Sequence, residues 1–289
     1  MTGILLVDKP EGLSSAGVIR ALEDRLRGTK VGHLGTLDPF ASGLLPLCVG
    51  EATKVARYLL LERKAYTGTI RLGAETDTLD RTGRVVATAP VPGDVAARLD
   101  AVAATFVGRQ RQTPPMYSAL KRGGTPLYAL ARRGVVVERE ARDIEIRRLD
   151  LVPRDPEHID FAVEWSKGTY VRVLAADVGR ALGTVAHLEG LRRTTVGTFR
   201  IDDALPPEAL AAMAELPLVP VREALAGLRA FGLEADALGA LRQGQQAPLR
   251  ALPPPRPQEA AVVVDGAGNV TALLESSTAG WRLARLLRV

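Results

Sequence analysis

The chain has 289 residues, 46% hydrophobic and 25% charged, a balance that excludes a disordered or fibrous chain and suits one large globular domain plus a small one. Lysine and arginine exceed aspartate and glutamate by 38 − 33 = 5, which fits a polyanionic partner without requiring one. The single Cys48 excludes an internal disulfide or a multi-cysteine zinc site, and the lack of a leader or long apolar run predicts a cytoplasmic protein with no membrane contact.

Residues 4–7 are an apolar run that predicts a buried strand, and the Asp8-Lys9-Pro10-Glu11-Gly12 turn follows. Taken alone, that segment makes Lys9 a solvated turn lysine. Ser14 or Ser15 caps a helix with Val18, Leu22 and Leu26 on one face. Residues 44–49 predict a second buried strand. Residues 53–61 predict a short helix with Val55, Leu59 and Leu60 inward, and 64–72 a half-buried strand with Tyr66, Gly68, Ile70 and Leu72 on one face. Residues 75–83 lack the alternating oxygen ligands of a calcium loop and predict a turn of Asx and Thr capping bonds. Pro92-Gly93-Asp94 caps a helix carrying Val95, Leu99, Val102 and Phe106.

Residues 112–121 form a proline-stiffened loop. Between 121 and 148 lie eight basic residues and four acidic ones, beside Tyr117 and Tyr128. This is either a solvated face or a surface that grips single-stranded RNA by stacking and phosphate contacts. Ile144, Ile146, Leu149 and Leu151 predict a strand with a slip of phase, and 159–165 a cleanly alternating one. Arg172 falls at a strand-to-helix junction, before Leu174, Val178 and Leu182 at helical spacing. Residues 191–199 predict a basic turn leading into a strand. After about Ala226 the texture changes: one short helix at 235–241, a Gln- and Pro-rich stretch, and short strands broken by glycine. The boundaries expected are 1–226 for the main domain and 227–289 for a small β module whose last nine residues carry Arg282, Arg285 and Arg288 and no acid.

One stretch stands apart. Residues 32–43 hold three glycines, Pro39, His33 and Asp38, so they form neither helix nor regular strand, yet Leu34, Leu37 and Phe40 would bury them against a core. An apolar-pinned loop of this kind can hold a reactive carboxylate, or Asp38 simply caps a turn before Pro39. Other chemistries drop out. There is no phosphate-binding glycine loop, no GxGxxG and no nucleophile elbow; Cys48 sits inside an apolar run, and His33, His158 and His187 are too scattered for a metal.

A series of motifs runs along the chain: Lys9-Pro10-Glu11-Gly12-Leu13-Ser14-Ser15, then Gly32-His33 through Leu37-Asp38-Pro39 with Ala41 and Gly43, and Gly50-Glu51-Ala52-Thr53-Lys54. Lys64-Ala65-Tyr66, Leu72-Gly73, Thr76-Asp77-Thr78, residues 115–121 and Ser166-Lys167-Gly168-Thr169-Tyr170-Val171-Arg172 complete the series. In this order they resemble the motifs of the bacterial TruB family of tRNA pseudouridine-55 synthases. The family's cysteine before the Ser-Lys-Gly run is Trp165 here.

The resemblance implies an α+β fold: a mixed, largely antiparallel sheet flanked by helices, plus a small C-terminal β-barrel of the PUA type that binds RNA. It implies cleavage of one uridine's glycosidic bond in the T-arm of tRNA, rotation of the base and rejoining through C5, with no metal, no cofactor and no obligatory protein partner. Asp38 would be the essential carboxylate, attacking the sugar or first removing a proton from it. Arg172 would pair with it, Tyr66 would stack on the flipped base, and His33 would support the flipped state or brace its own loop. Lys9 and Leu191 would line the pocket. Lys121, Arg132, Arg192, Arg282 and Arg285 are candidates for phosphate contacts. The rival readings are a guide-RNA-dependent relative and a non-catalytic RNA-binding or RNA-folding protein.

Overall fold

The protein is described here as a computed structural model, which covers residues 1–60, 63–118, 120–131, 133–135, 137–166 and 168–288. Arg132 and the side chain of Lys121 lie outside the described residues. The centre is a ten-stranded sheet. Its main strands are β1 (Gly3–Lys9), β2 (Val31–His33), β3 (Ser42–Val49), β4 (Lys64–Leu72), β5 (Gly108–Gln112), β6 (Arg142–Asp155), β7 (His158–Trp165), β8 (Ala186–Val196) and β9 (Leu218–Val219). They hydrogen-bond in the order β9-β1-β3-β8-β4-β7-β6-β5, with β2 added on β3. All neighbours run antiparallel except β3 and β8, which are parallel at Arg192–Ser42 and Arg193–Gly43. This is the mixed, largely antiparallel sheet that the sequence predicted.

Period-two patterning drives the central strands. In β7 Ile159, Phe161, Val163 and Trp165 all point inward and are buried. Helices α1 (Ser15–Ala21), α2 (Val95–Phe106) and α3 (Val171–Ala181) flank the sheet. Leu99 and Val102 of α2 and Leu174 and Val178 of α3 share one core with these strands. The phase slip in β6 is a bulge: its register with β7 shifts between Ile146 and Arg148, so Ile144, Ile146, Leu149 and Leu151 are all buried. Ser14 is the cap of α1, accepting from Gly17 N at 2.9 Å. No helix among the described residues is long and apolar enough to cross a membrane.

Some expectations need correction. Residues 191–196 are no basic turn but the end of β8, in the middle of the sheet. Bulges between Leu188 and Gly190 and between Arg193 and Thr195 scramble the alternation, and a buried arginine disguises the rest. Among residues 53–61, a 3₁₀ turn over Gly50–Lys54 gives way to one helical turn over Ala56–Leu59, and Leu60 is exposed rather than inward. Asp94 makes no capping bond from its side chain and pairs with Arg98 at 3.6 Å instead.

The C-terminal part is a four-stranded sheet of β10 (Arg229–Gly232), β11 (Ala260–Val264), β12 (Val270–Ser277) and β13 (Gly280–Leu286), paired in that order as an open path, with α4 (Ala235–Arg242) against it. Alternation splits its residues between two cores. Ala261, Val263, Ala272 and Leu274 join Leu238 and Leu241 of α4. Val262, Val270, Leu273 and Leu287 pack instead with Ile4, Leu6, Cys48 and Val55. One face of the small sheet is thus glued to the back of the large one.

Gly43 begins β3 where it meets β8. It has φ +103°, and a Cβ there would lie 2.3 Å from Arg193 O and 2.7 Å from Arg193 N. Both atoms are backbone and cannot swing aside. Gly43→Ala is therefore expected to destabilise the protein by about 2–4 kcal/mol, measured by denaturant unfolding. A change within error of zero contradicts this parallel pairing.

Candidate active site

The loop carrying Asp38 belongs to no strand or helix; a few backbone bonds, such as Gly12 N to Pro39 O at 2.7 Å, and several side chains hold it. Leu34, Leu37 and Phe40 are buried beneath it, as expected. Ser15 Oγ accepts from Leu37 N at 2.9 Å and donates to Leu37 O at 3.2 Å. Lys9 is not a solvated lysine, nor does it line the pocket: it is completely buried, donating to Pro10 O (2.9 Å), Leu13 O (2.7 Å) and Pro39 O (3.3 Å). Burial brings its ammonium down to about 8, against the raising effect of Glu11 and Asp38. Arg193, also fully buried, donates from Nε to Leu44 O (2.7 Å) and from Nη2 to Gly35 O (3.1 Å). Two cations and a hydroxyl thus satisfy the carbonyls on both sides of Asp38.

Arg172, in the first turn of α3, points back at this loop. Its Nε lies 3.0 Å from Asp38 Oδ2 and its Nη1 3.5 Å from Asp80 Oδ2. Nη1 also donates to Thr78 O at 3.1 Å and Nη2 to Tyr117 O at 2.8 Å. Arg172 is 5% exposed, while 37% of the Asp38 side chain still opens outward although protein surrounds it on most sides. Burial pushes the Asp38 carboxyl above its ordinary value; Arg172 opposes this, Asp80 adds to it and Lys9 opposes it.

Two cavities meet at this pair. One, of about 340 Å³, is walled by Thr36, Asp38, Tyr66, Tyr170, Leu191 and Arg193 among others. The second, of about 760 Å³, has Thr36, Asp38, Ser118 and Arg172 in common with the first and adds Asp80, Tyr117 and Tyr128. Tyr66 lies on β4 against Trp165, ring centroids 5.3 Å apart and tilted 52°. A volume of this size with an aromatic wall and one ionisable pair suits a small flat ligand beside a fixed carboxylate. A cleft of about 730 Å³ between Arg71, Val91 and Pro153 touches none of these residues.

The structure thus brings Asp38, Arg172, Tyr66 and Leu191 together. It places His33 in β2, paired with Leu47 and on neither cavity wall. Its buried Nδ1 has no hydrogen-bond partner among the described residues, and burial, with Arg193 adding, holds the imidazole below its ordinary value. Arg192 is not a free cation: it makes a two-pronged contact to Asp8 at 3.0 and 2.8 Å. Arg282 pairs with Glu275 across the strand at 3.1 Å, so an acid does stand beside the C-terminal arginines. Arg285 is exposed and, among the described residues, bonds only the neighbouring Ala284 O.

Sequence reasoning missed two groups. Asp80, 4% exposed, is bonded by Thr78 Oγ1, Thr82 N and Thr82 Oγ1, so the predicted capping turn is real but also faces Arg172. Arg193 was hidden in a supposed basic turn; the signal available was its place two residues after Leu191.

Comparison with known proteins shows the family. Residues 23–171 match the N-terminal domain of TruB family pseudouridylate synthases, and residues 172–221 match the tRNA pseudouridylate synthase B C-terminal domain. The tRNA pseudouridine synthase B of Xanthomonas campestris pv. campestris is 43% identical over 94% of this chain and 89% of its own length. That of Cupriavidus metallidurans is 44% identical over 99% and 94%. That of Psychrobacter cryohalolentis is 48% identical over 75% of this chain, a match spanning 61% of that protein's own length. In fold, the chain is similar to a chain in a Cbf5–Nop10–Gar1 complex, with TM-score 0.71 and 24% identity over 99% of this chain and 83% of the other. On the two matched domains and the extent of these relatives, the chain belongs to the TruB family of pseudouridylate synthases.

Proposed function

We propose that the protein is a tRNA pseudouridine synthase acting on the uridine of the T-arm loop, position 55, with Asp38 as its essential carboxylate. The observation that carries this is the Asp38–Arg172 pair at 3.0 Å, set at the mouth of two cavities beside a buried tyrosine. An RNA-binding or RNA-folding protein has no need to hold a carboxylate, against the cost of burial, where RNA phosphates must approach. Relatives that are 43–48% identical carry the name tRNA pseudouridine synthase B, which favours a stand-alone tRNA enzyme over a guide-dependent one. A cytoplasmic location and action without a protein partner fit that reading.

In this reading the target base leaves its stack and enters the cavity against Tyr66 and Leu191. Asp38 meets the sugar at C1′ or takes a proton from it, with Arg172 keeping the carboxylate ionised and aimed. His33 and Lys9 act from below, bracing the loop and not touching the base. Residues 1–226 form the catalytic part, and 227–289 grip RNA outside the pocket.

Incubating the protein alone with unmodified tRNA transcript and mapping pseudouridine tests the activity. Asp38→Asn keeps the size of the side chain but not its charge, so it is expected to abolish product while tRNA binding stays near wild type. Activity within about tenfold of wild type, or 1.4 kcal/mol of barrier, refutes the assignment.

The pH profile has a definite sign. Because the Asp38 carboxyl titrates above its ordinary value, the acid limb of kcat/KM should lie above the usual aspartate range, with activity lost as pH falls through it. Asp80→Asn removes a raising charge and should move the limb down; Arg172→Gln removes a lowering one and should move it up. Equal limbs in all three proteins argue that Asp38 does not set the profile.

Deleting residues 227–289 would uncover Ile4, Leu6 and Cys48, so the RNA grip is better tested by charge. Arg285→Ala should lower the slope of log affinity against log salt by about 0.7–0.9 and leave the rate at saturating tRNA unchanged. An unaltered slope removes Arg285 from the RNA surface.

A further inference from the structure

We propose that Arg193 is a second functional arginine of this site, a buried positive charge that stabilises the detached uracil as an anion. The proposal rests on the reading of the site as one that isomerises uridine. Three observations carry it.

The first is position. Arg193 of β8 stands directly across from Tyr66 of β4, and Leu191 stands across from Gly68. Cross-strand partners share a face, and so do residues two apart with no bulge between them. Tyr66, Leu191 and Arg193 therefore lie side by side on one face, and all three line the smaller cavity. A base packed against Tyr66 and Leu191 has this guanidinium in the adjoining wall.

The second is charge. Arg193 is completely buried, and it donates to Leu44 O and Gly35 O, both neutral carbonyls. Among the described residues no carboxylate pairs with it, whereas Arg172 has Asp38 and Asp80. A buried cation without a counter-ion is costly and is kept where an anion will come. Its field also reaches outward: after burial, it contributes to holding His33 and Lys9 below their ordinary values.

The third is the chemistry. When the C1′–N1 bond breaks, its electron pair stays on N1, and the charge spreads over the ring and its two carbonyl oxygens. This holds whether Asp38 attacks the sugar or takes a proton from it. After rotation C5 bonds to C1′, the proton on C5 leaves to solvent and N1 gains one, so the reaction is an isomerisation with nothing oxidised. The anion exists only between cleavage and rejoining, so a fixed charge in a dry wall favours that species over the neutral uridine. Because Arg193 lies in the wall and not the lumen, it acts through space, and its hydrogen bonds to Gly35 and Leu44 keep it there.

The test is single-turnover pseudouridine formation at saturating tRNA. R193Q is expected to bind tRNA within about threefold of wild type and to lose about a hundredfold in rate. R193K, which keeps the charge, should stay within about tenfold. A substrate with 5-fluorouridine at the target position carries a base that leaves more readily as an anion, so the R193Q defect in cleavage should shrink on it. The proposal is overturned if R193Q reacts at the wild-type rate, if R193K is as impaired as R193Q, or if the defect is equal on both bases. Should R193Q lack the wild-type thermal transition, R193K decides: a rate above about a tenth of wild type upholds the proposal and a lower one overturns it. A wild-type protein that forms no pseudouridine defeats the functional reading itself; an active wild type with an equally active R193Q defeats only the role of Arg193.

Discussion

A single guanidinium joins three otherwise separate pieces of chain. Arg172 reaches Asp38 on one loop, Thr78 and Asp80 on a second, and Tyr117 on a third. None of these segments is a regular strand or helix at the point of contact. Taking that cation out of water costs several kcal/mol, and only the full set of carboxylates and carbonyls offsets it. The contacts therefore form together or not at all, which gives the loops one shared geometry. This is how a site made of irregular backbone becomes rigid enough to aim a carboxylate.

Beneath that pair lies a second tier with the same logic. Arg193 is a buried cation that donates to Gly35 O and Leu44 O on either side of Asp38, and the buried Lys9 ties Pro39 O to Pro10 O and Leu13 O of the turn after β1. A loop of this kind leaves carbonyls unpaired that helix or sheet would have satisfied. Long cationic side chains rooted in β1 and β8 supply the missing donors. The sheet thus extends its order into the loop through side chains, and the loop's position is tied to strands in the middle of the fold.

How far these features were legible depends on what each residue type reveals by itself. The alternation in β7, the bulge in β6 and the apolar staples of the Asp38 loop could be read because hydrophobic spacing reports burial directly. The motif series placed Asp38, Arg172 and Tyr66 in one site. Lys9, Arg192 and Arg193 misled, since a basic residue in sequence reads as solvent-facing, and only the three-dimensional neighbours tell which are buried, paired or neutralised. Asp80 was hidden for the opposite reason: a turn rich in Thr and Asp explains itself locally, so nothing in its spacing advertises the arginine that arrives from residue 172. The end of β8 was lost to two bulges that break the period on which strand recognition rests.

The way the small sheet is attached carries a consequence for biogenesis. β1 alternates between two cores, Leu5 and Val7 facing one and Ile4 and Leu6 the other. The second core is completed by Val262, Val270, Leu273 and Leu287, more than 200 residues later. A nascent chain can close the first core while the second still lies bare, because translation runs from Ile4 toward Leu287. Until residues 262–287 emerge, one side of β1 and β3 is a sticky apolar face, a natural hold for a ribosome-associated chaperone. The large sheet therefore waits for the small sheet to finish maturing, and truncated translation products of this chain are expected to be aggregation-prone even though every proposed catalytic residue is already present in them.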